Sequence, residues 1–566
     1  MTTDKHACDV LVVGSGGSGC SAALTASLAG ADVILVEKEP EFGGTTAYSA
    51  GVIWIPNTDH AKAAGIEDSL NQAMEYLEAE IGNHFDRAKA KSFLENGPRM
   101  LSLLERETYV KYILMPTWAD YHPKQPGGSQ GGRSLLPEQF DGRQLADRFK
   151  QLRAPLPTMM LFGGMMVGRD DLPHLLNCTR SFKSALYVAK ILARQAFDRL
   201  SHARGTRIAN GNALIARMML TLFERNVPVW VSSPATRLLY DGDRVTGAVV
   251  ERDGAEVEIT AKKGVILASG GFPANEDLKA RYYSHLRDGK NHRSLPPPGN
   301  TGDGARLAGE VGGGFGEEVA HPAAWTPVSL VPNSNGGTDP FPHFIDRGKP
   351  GVIAVDRRGR RFANEADSYH DFVPAMFEVC RDDEQVEAFL ITDHHSIRRY
   401  GLGAAPPKPA RLEPHVTSGY ITRGKTLAEL GEKLGIDGEA LAETVARFNG
   451  PAARGEDPEF DKGNNAYNHF NGDPLQHPNP CVGPLDTAPY YAIRMIPGEL
   501  GTFAGLRTDP SARVLDGAGT PIAGLYAVGN DQQSVMGGTY PGAGITIGPG
   551  MTFGYVAARH ALGLED

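Results

Sequence analysis

The stretch "CDVLVVGSGGSGCSAALTASLAGADVILVE", Cys8 to Glu37, decides the fold. An apolar run, Val10 to Val13, ends in clustered glycines; a small-residue segment with helical character follows, and a second apolar run, Val33 to Val36, closes on a carboxylate. Strand, glycine turn, helix, strand is the first βαβ unit of a doubly wound sheet. Gly14, Gly16 and Gly19 stand in G-x-G-x-x-G spacing, and Glu37 follows about 20 residues later, where a carboxylate accepts from a ribose 2′-OH. Glycines here let a pyrophosphate reach the free amides of the helix start. Taken alone, G-x-G-x-x-G also occurs as an ordinary glycine-rich turn; the strand, helix and acid around it argue for a dinucleotide.

The next segment, "EKEPEFGGTTAYSAGVIW", favours FAD over NAD, because small residues and hydroxyls directly after the ribose carboxylate suit a pyrophosphate and a flavin. The expected contacts in the first unit are Gly14, Ser15, Gly16, Ser18, Gly19, Glu37 and Lys38, followed by Gly44, Thr45, Thr46 and Gly51. Gly270, in "GVILASGGF", joins them, as do Gly529 and Asn530, and Ile545, Thr546 and Ile547 near the C-terminus. The segment after Gly43–Gly44 carries Tyr48 and no histidine, so the flavin is expected to be bound non-covalently. There is no second dinucleotide unit and no redox cysteine pair. The flavin should therefore exchange electrons with a substrate and then with a separate acceptor.

A helical pattern over residues 210–226 leads into short alternating segments broken at "YDGDR" and "RDGAE", D-G signals of a small β-meander. After about residue 282 the texture turns proline- and glycine-rich. The expected architecture is an α/β, Rossmann-like FAD-binding domain (1–282 and 486–566) interrupted by an inserted α+β catalytic domain (283–485) that caps the substrate.

Of 566 residues, 41% are hydrophobic and 22% charged, as in globular enzymes; the net charge of −10 and the lack of any Lys/Arg block exclude a nucleic-acid partner. Five scattered cysteines indicate neither disulfides nor a metal site, and with an N-terminus unlike a signal peptide they point to the cytoplasm. The most apolar run, Thr158 to Val167, is too short to span a bilayer. Thr179 to Gly205 joins an apolar helical stripe to Arg180, Lys183, Lys190, Arg194, Arg199 and Arg204. Two readings stay open: a solvated basic face over a core-facing stripe, or peripheral docking to a membrane.

The segments "GGTTAYSAGVIWIPN", "GRRFANEADSY", "LAETVARFNGPAARGEDPEF", "GELGTFAGLRTD" and "GLYAVGNDQQSVMGGTYPGAGITIGPGMTFGYVAARH" together resemble the flavoprotein 3-ketosteroid Δ1-dehydrogenases, within the fumarate reductase-like superfamily. The likeness runs over essentially the whole chain, with T-Y-P-G-x-G its most discriminating motif. It implies 1,2-desaturation of a 3-oxosteroid: proton abstraction at C2, hydride transfer from C1 to flavin N5, and electrons passing to a separate, quinone-like acceptor. By resemblance, Tyr540 and Gly544 hold the C3 carbonyl, Tyr369 after "NE" accepts the proton, and Tyr121 before "HPKQPGG" supports it. These roles agree with the chemistry. A hydrogen beside a ketone becomes acidic only as the carbonyl oxygen's charge is stabilised, and a phenol plus an amide near a helix start form a two-donor oxyanion hole.

His321, in "VAHPAAW", matches a substrate-binding histidine of dicarboxylate reductases but is expected to be structural, with Trp325 a candidate pocket wall. A fumarate-type reductase needs cations for two carboxylates. No Lys or Arg occurs between Arg513 and Arg559, and Tyr369 holds the slot of the acid arginine. An isomerase or hydratase with structural FAD shares the enolate chemistry and stays open.

Overall fold

The structure, a computed structural model, describes residues 4–161, 164–168, 170–178 and 181–564. Phe162, Gly163, Thr179 and Arg180, which the apolar and basic stretches include, lie outside the described residues.

Strand β1 (Asp4–Val13) is solvated at its start and buried from Val10 onward; β2 (Val33–Val36) is buried throughout. Apolar runs without alternation fit strands covered on both faces, and the two pair in parallel, joined by α1 (Gly17–Leu28). Ten of the twelve residues of α1 are buried, so it shows no polar face; it is wedged between the sheet and the helix Ile547–Ala561. The first sheet runs Arg513–Leu515, Pro521–Ala527, Ala255–Leu267, β1, β2, Val229–Trp230, with Val245–Arg252 antiparallel to Ala255–Leu267 and Ala235–Tyr240 antiparallel to Val245–Arg252 in turn.

The 13-residue strand Ala255–Leu267 belongs to two environments. It lies parallel to β1 from Val257 to Leu267; on its other edge the first half, alternating in burial, pairs with Val245–Arg252, and the last four residues, all buried, include the partners of Leu525–Ala527. The D-G pair between Arg252 and Ala255 makes the turn, both residues with positive φ (Asp253 51°, Gly254 77°), the backbone that two-residue hairpins require.

A second, seven-stranded sheet is centred on Tyr490–Thr502. The C-terminal half of that strand pairs antiparallel with Ala323–Pro332, and its N-terminal half with Ala388–Asp393. The expected boundary at 485/486 thus leaves the central strand of this sheet on the wrong side, because its partners lie far upstream. Among the described residues, no helix is long and apolar enough to cross a membrane, and no group of three His, Cys, Asp or Glu side chains is placed to hold a metal.

Candidate active site

Between the sheets lies a cavity of about 580 Å³. One end is walled by Gly14, Ser15, Gly16, Ser18, Glu37 and Lys38; Gly44, Thr45, Thr46 and Gly51 continue the wall, with Gly270, Gly529, Asn530, Thr546 and Ile547 opposite. Two of the expected contacts do not line this cavity. Gly19 packs under the turn, where a Cβ would stand 2.0 Å from the Gly14 carbonyl oxygen, and Ile545 points into the core.

The residues present fit FAD. Gly14 has φ +110° and a Cβ there would meet the Ala268 carbonyl at 2.2 Å, so only glycine makes this turn. The first turn of α1 has no acidic residue and no side-chain cap, leaving it electropositive for a pyrophosphate. Glu37, which would accept from a ribose hydroxyl, is pinned by the amides of Ser15 (3.1 Å) and Glu39 (2.9 Å). Asn300, which sequence reasoning missed, ties Thr45 Oγ1 (2.9 Å) to the Gly270 carbonyl (3.1 Å), and Asp531 accepts from the Gly271 amide (2.9 Å).

At the other end four tyrosines converge: Tyr121, Tyr369, Tyr467 and Tyr540. Tyr121 Oη donates to Tyr369 Oη at 3.0 Å across 248 positions of sequence. The rings of Tyr121 and Tyr540 are nearly parallel, 5.3 Å between centroids and 8° between planes; Tyr369 stands edge-on to Tyr540 at 5.2 Å, and Tyr467 covers Tyr121 at 4.4 Å. Tyr369 opens the helix Tyr369–Val379, whose cap Ser368 accepts from the His370 amide. The Tyr540 turn is held by its Pro541 carbonyl, which accepts from Tyr76 Oη (2.7 Å) and the Tyr121 amide (2.8 Å). Behind it, Trp54 Nε1 donates to Asp120 (2.8 Å), and buried Arg133 bridges Asp120 and Asp68 (2.7 Å each).

Gly544 has φ +104°, and a Cβ there would lie 2.5 Å from the Ile53 carbonyl carbon. Its carbonyl accepts from the Trp54 amide (3.2 Å), while among the described residues its own N–H finds no acceptor. The helix Ile547–Ala561 starts three residues later, so this amide sits at the positive end of the helix.

Electrostatics follow from burial. Desolvation pushes the Tyr540 hydroxyl up to about 12, against the lowering hydrogen bonds of Tyr369 and Thr546. Tyr369 and Tyr121 are driven well above the ordinary phenol value, again chiefly by desolvation. Burial alone would lower His122, but hydrogen bonds to Asp371 (2.8 Å) and Glu80 (2.5 Å) overcome it and hold its pKa at about 11. This ion pair fastens the neighbour of Tyr121 to the helix of Tyr369. We expect His122→Asn, which cannot be charged, to slow flavin reduction by substrate about tenfold through loss of alignment, with FAD content unchanged, read by stopped-flow absorbance.

Trp325, the candidate wall, is buried instead in the second sheet among Tyr283, His285 and His292, and its amide donates to His370 Nδ1 (3.1 Å). The register of Ala323–Pro332 turns the indole away from the cavity. His321 lies against the His370 ring at 5.1 Å and does not line the cavity; burial lowers its pKa. Tyr467 and Phe344, the latter against Tyr369 at 4.9 Å, carried no motif by which sequence could have found them.

Residues 9–547 match the family described as FAD binding domain. The chain is 41% identical to a 4-oxocyclohex-2-ene-1-carboxylate 5-dehydrogenase of Sinomonas cyclohexanicum (98% of this chain, 93% of that protein). It is 37% identical to a 3-oxosteroid 1-dehydrogenase of Mycolicibacterium smegmatis (99% and 97%). The crystal structure of 3-ketosteroid Δ1-dehydrogenase from Sterolibacterium denitrificans in complex with 1,4-androstadiene-3,17-dione is similar with a TM-score of 0.89 at 35% identity, covering 99% of this chain and all of that one. With a glycine cradle at one end of its cavity and relatives that desaturate ring ketones, the chain belongs to the FAD binding domain family, as an FAD-dependent oxidoreductase acting on CH–CH bonds.

Proposed function

We propose that this enzyme dehydrogenates 3-oxosteroids between C1 and C2. The observation that carries the reading is the pairing of two donors, Tyr540 Oη and the Gly544 amide, with the hydrogen-bonded couple Tyr121–Tyr369 at one apolar cavity. Tyr540 and Gly544 receive the C3 carbonyl oxygen and stabilise its charge as the enolate develops. Tyr369 takes the C2 proton, and the hydroxyl of Tyr121 stabilises the phenolate that Tyr369 must become beforehand. FAD held by the glycine cradle would supply the acceptor for the C1 hydride, with a separate, quinone-like acceptor as the destination of the electrons. Leu156, Met159, Met166, Leu295, Phe341 and Phe344 offer an apolar wall suited to a fused ring system. The segment 283–485, completed by Tyr490–Thr502, acts as the substrate cap.

A second reading is a smaller ring ketone bearing a carboxylate, as the names of two relatives, 41% and 34% identical, suggest. One side chain favours it: Arg153 lines the same cavity, is buried, has an Nε without a hydrogen-bond partner, and meets Glu39 and Glu41 only at 3.8 Å. Anaerobic mixing with 3-oxosteroids and with 4-oxocyclohexanecarboxylate separates the two. Rapid bleaching of the flavin by the steroid, with a C1–C2 double bond in the product, is the expected result. Bleaching by the carboxylate alone would replace the steroid reading by the second, and a flavin that stays yellow while substrate isomerises would remove both.

A further inference from the structure

The short helical turn Asp346–Gly348 sets a carboxylate in the wall of the cavity, two residues beyond Phe344. One of its oxygens is taken up by the protein: Asp346 Oδ2 accepts from the Gly403 amide (3.2 Å) and lies 2.7 Å from His343 Nδ1. His343 is itself locked, its Nε2 2.8 Å from Ser329 Oγ, which in turn stands 2.8 Å from Tyr420 Oη. Ser329 is buried and its hydroxyl is spent on His343 and Tyr420, so the set is a brace and not a nucleophile with its base. The other carboxylate oxygen, Oδ1, has no hydrogen-bond partner among the described residues. Cations nearby are committed elsewhere, Arg347 to the carbonyls of His343, Glu365 and Asp367, and Lys349 Nζ to the Gly472 carbonyl. Burial alone would raise the Asp346 pKa, but His343, Arg347 and the Gly403 amide hold it below the ordinary carboxylate value, so at neutral pH the group only accepts.

A second acceptor stands in the same wall. Asn471, 1% exposed, packs on the turn, where a Cβ on Gly348 would lie 2.8 Å from its own Cβ. Its Nδ2 donates to the Ala366 carbonyl (3.1 Å), which fixes the amide's orientation and leaves Oδ1 buried without a partner. Buried acceptors that no protein donor reaches point to a donor brought by a ligand. The side chains beside them, Phe341, Pro342, Phe344 and Ile345, are apolar. A carboxylate would be repelled by Asp346 and a carbonyl would set acceptor against acceptor, whereas a hydroxyl on an apolar ring system fits both. We infer that the enzyme selects ring ketones that also carry a hydroxyl group, with Asp346 Oδ1 accepting its hydrogen bond and Asn471 Oδ1 as the second acceptor. The inference rests on the dehydrogenation proposed above and names a substrate class within it, hydroxylated 3-oxosteroids. A ligand without the hydroxyl desolvates the carboxylate oxygen and offers nothing in return, so the selection acts mainly by penalising the wrong ligand.

Androsta-1,4-dien-3-ones already carry the C1–C2 double bond, so their binding to the FAD-loaded full chain can be measured by calorimetry without turnover. The probes are the parent dienone and its derivatives with either a hydroxyl or an oxo group at C7, C11 or C17. We expect one hydroxyl derivative to bind about tenfold to hundredfold tighter than both the parent and the ketone at the same carbon. Asp346→Asn keeps an amide oxygen for the Gly403 N–H and turns an NH₂ group toward the ligand, so it should remove the gap between hydroxyl and ketone while FAD content stays unchanged. A merely structural role would weaken both ligands alike. Equal binding of hydroxyl, oxo and parent forms by the wild-type chain, or no binding, overturns the inference whether or not the variant folds, as does a preference that survives Asp346→Asn. The reaction is scored separately by flavin bleaching with 3-oxosteroids. Hydroxyl preference in an enzyme whose flavin no 3-oxosteroid bleaches would keep the hydroxyl site and remove the dehydrogenation, and bleaching without hydroxyl preference would do the reverse.

Discussion

Flavin reduction by a 3-oxosteroid is expected to slow about 10²–10³-fold in Tyr540→Phe, the cost of one lost oxyanion donor. The substitution removes one oxygen and little else. The ring remains stacked on Tyr121 and packed against Phe503 (6.1 Å), and the turn stays held through the Pro541 carbonyl, to which the residue 540 side chain contributes nothing. The loss should therefore fall on the rate of the chemical step far more than on substrate affinity, since a neutral ketone needs the donor less than an enolate does. Single-turnover anaerobic mixing measures both quantities. A rate equal to that of wild type would discard the oxyanion role.

Tyr369→Phe should cost about 10²–10⁴ in the same measurement, the span usual for a general base, and pH sharpens the test. Burial raises the Tyr369 pKa well above that of a free phenol, so at neutral pH the phenolate is the minor form. A reaction that needs this form speeds up as pH rises, by about tenfold per unit below the pKa. Removing the Tyr121 donor 3.0 Å away destabilises the phenolate, so Tyr121→Phe should move the rising limb to still higher pH, whereas Tyr369→Phe should flatten it. A pH profile unchanged in Tyr369→Phe would assign the base to another group.

Much of the cofactor end was legible in sequence because its determinants are local. Gly14, Gly16 and Glu37 act within one βαβ unit, and the D-G at 253–254 fixes a hairpin by its own backbone preference. The second sheet was less so. The 13 residues Tyr490–Thr502 read as one apolar strand wherever they are placed, and only their partners at 323–332 and 388–393 decide which sheet takes them. The same limit applies in the site. Tyr121, Tyr369 and Tyr540 stood in recognisable surroundings, but Tyr467 reaches them only through tertiary packing, and His122 and Asp371 meet across 249 positions. Trp325 was misjudged for a related reason: strand register, invisible without the pairing, chooses which face an indole takes.

The packing of α1 against the helix Ile547–Ala561 has a consequence for biosynthesis. The glycine turn of the nucleotide cradle leaves the ribosome long before Gly529, Asn530, Thr546 and Ile547, which complete its far wall. Contacts between sequence extremes form late and slowly. A nascent chain halted before about residue 540 would present a half-built cradle, so capture of FAD should wait until Ile547 has emerged, and nascent chains should depend on chaperones until then.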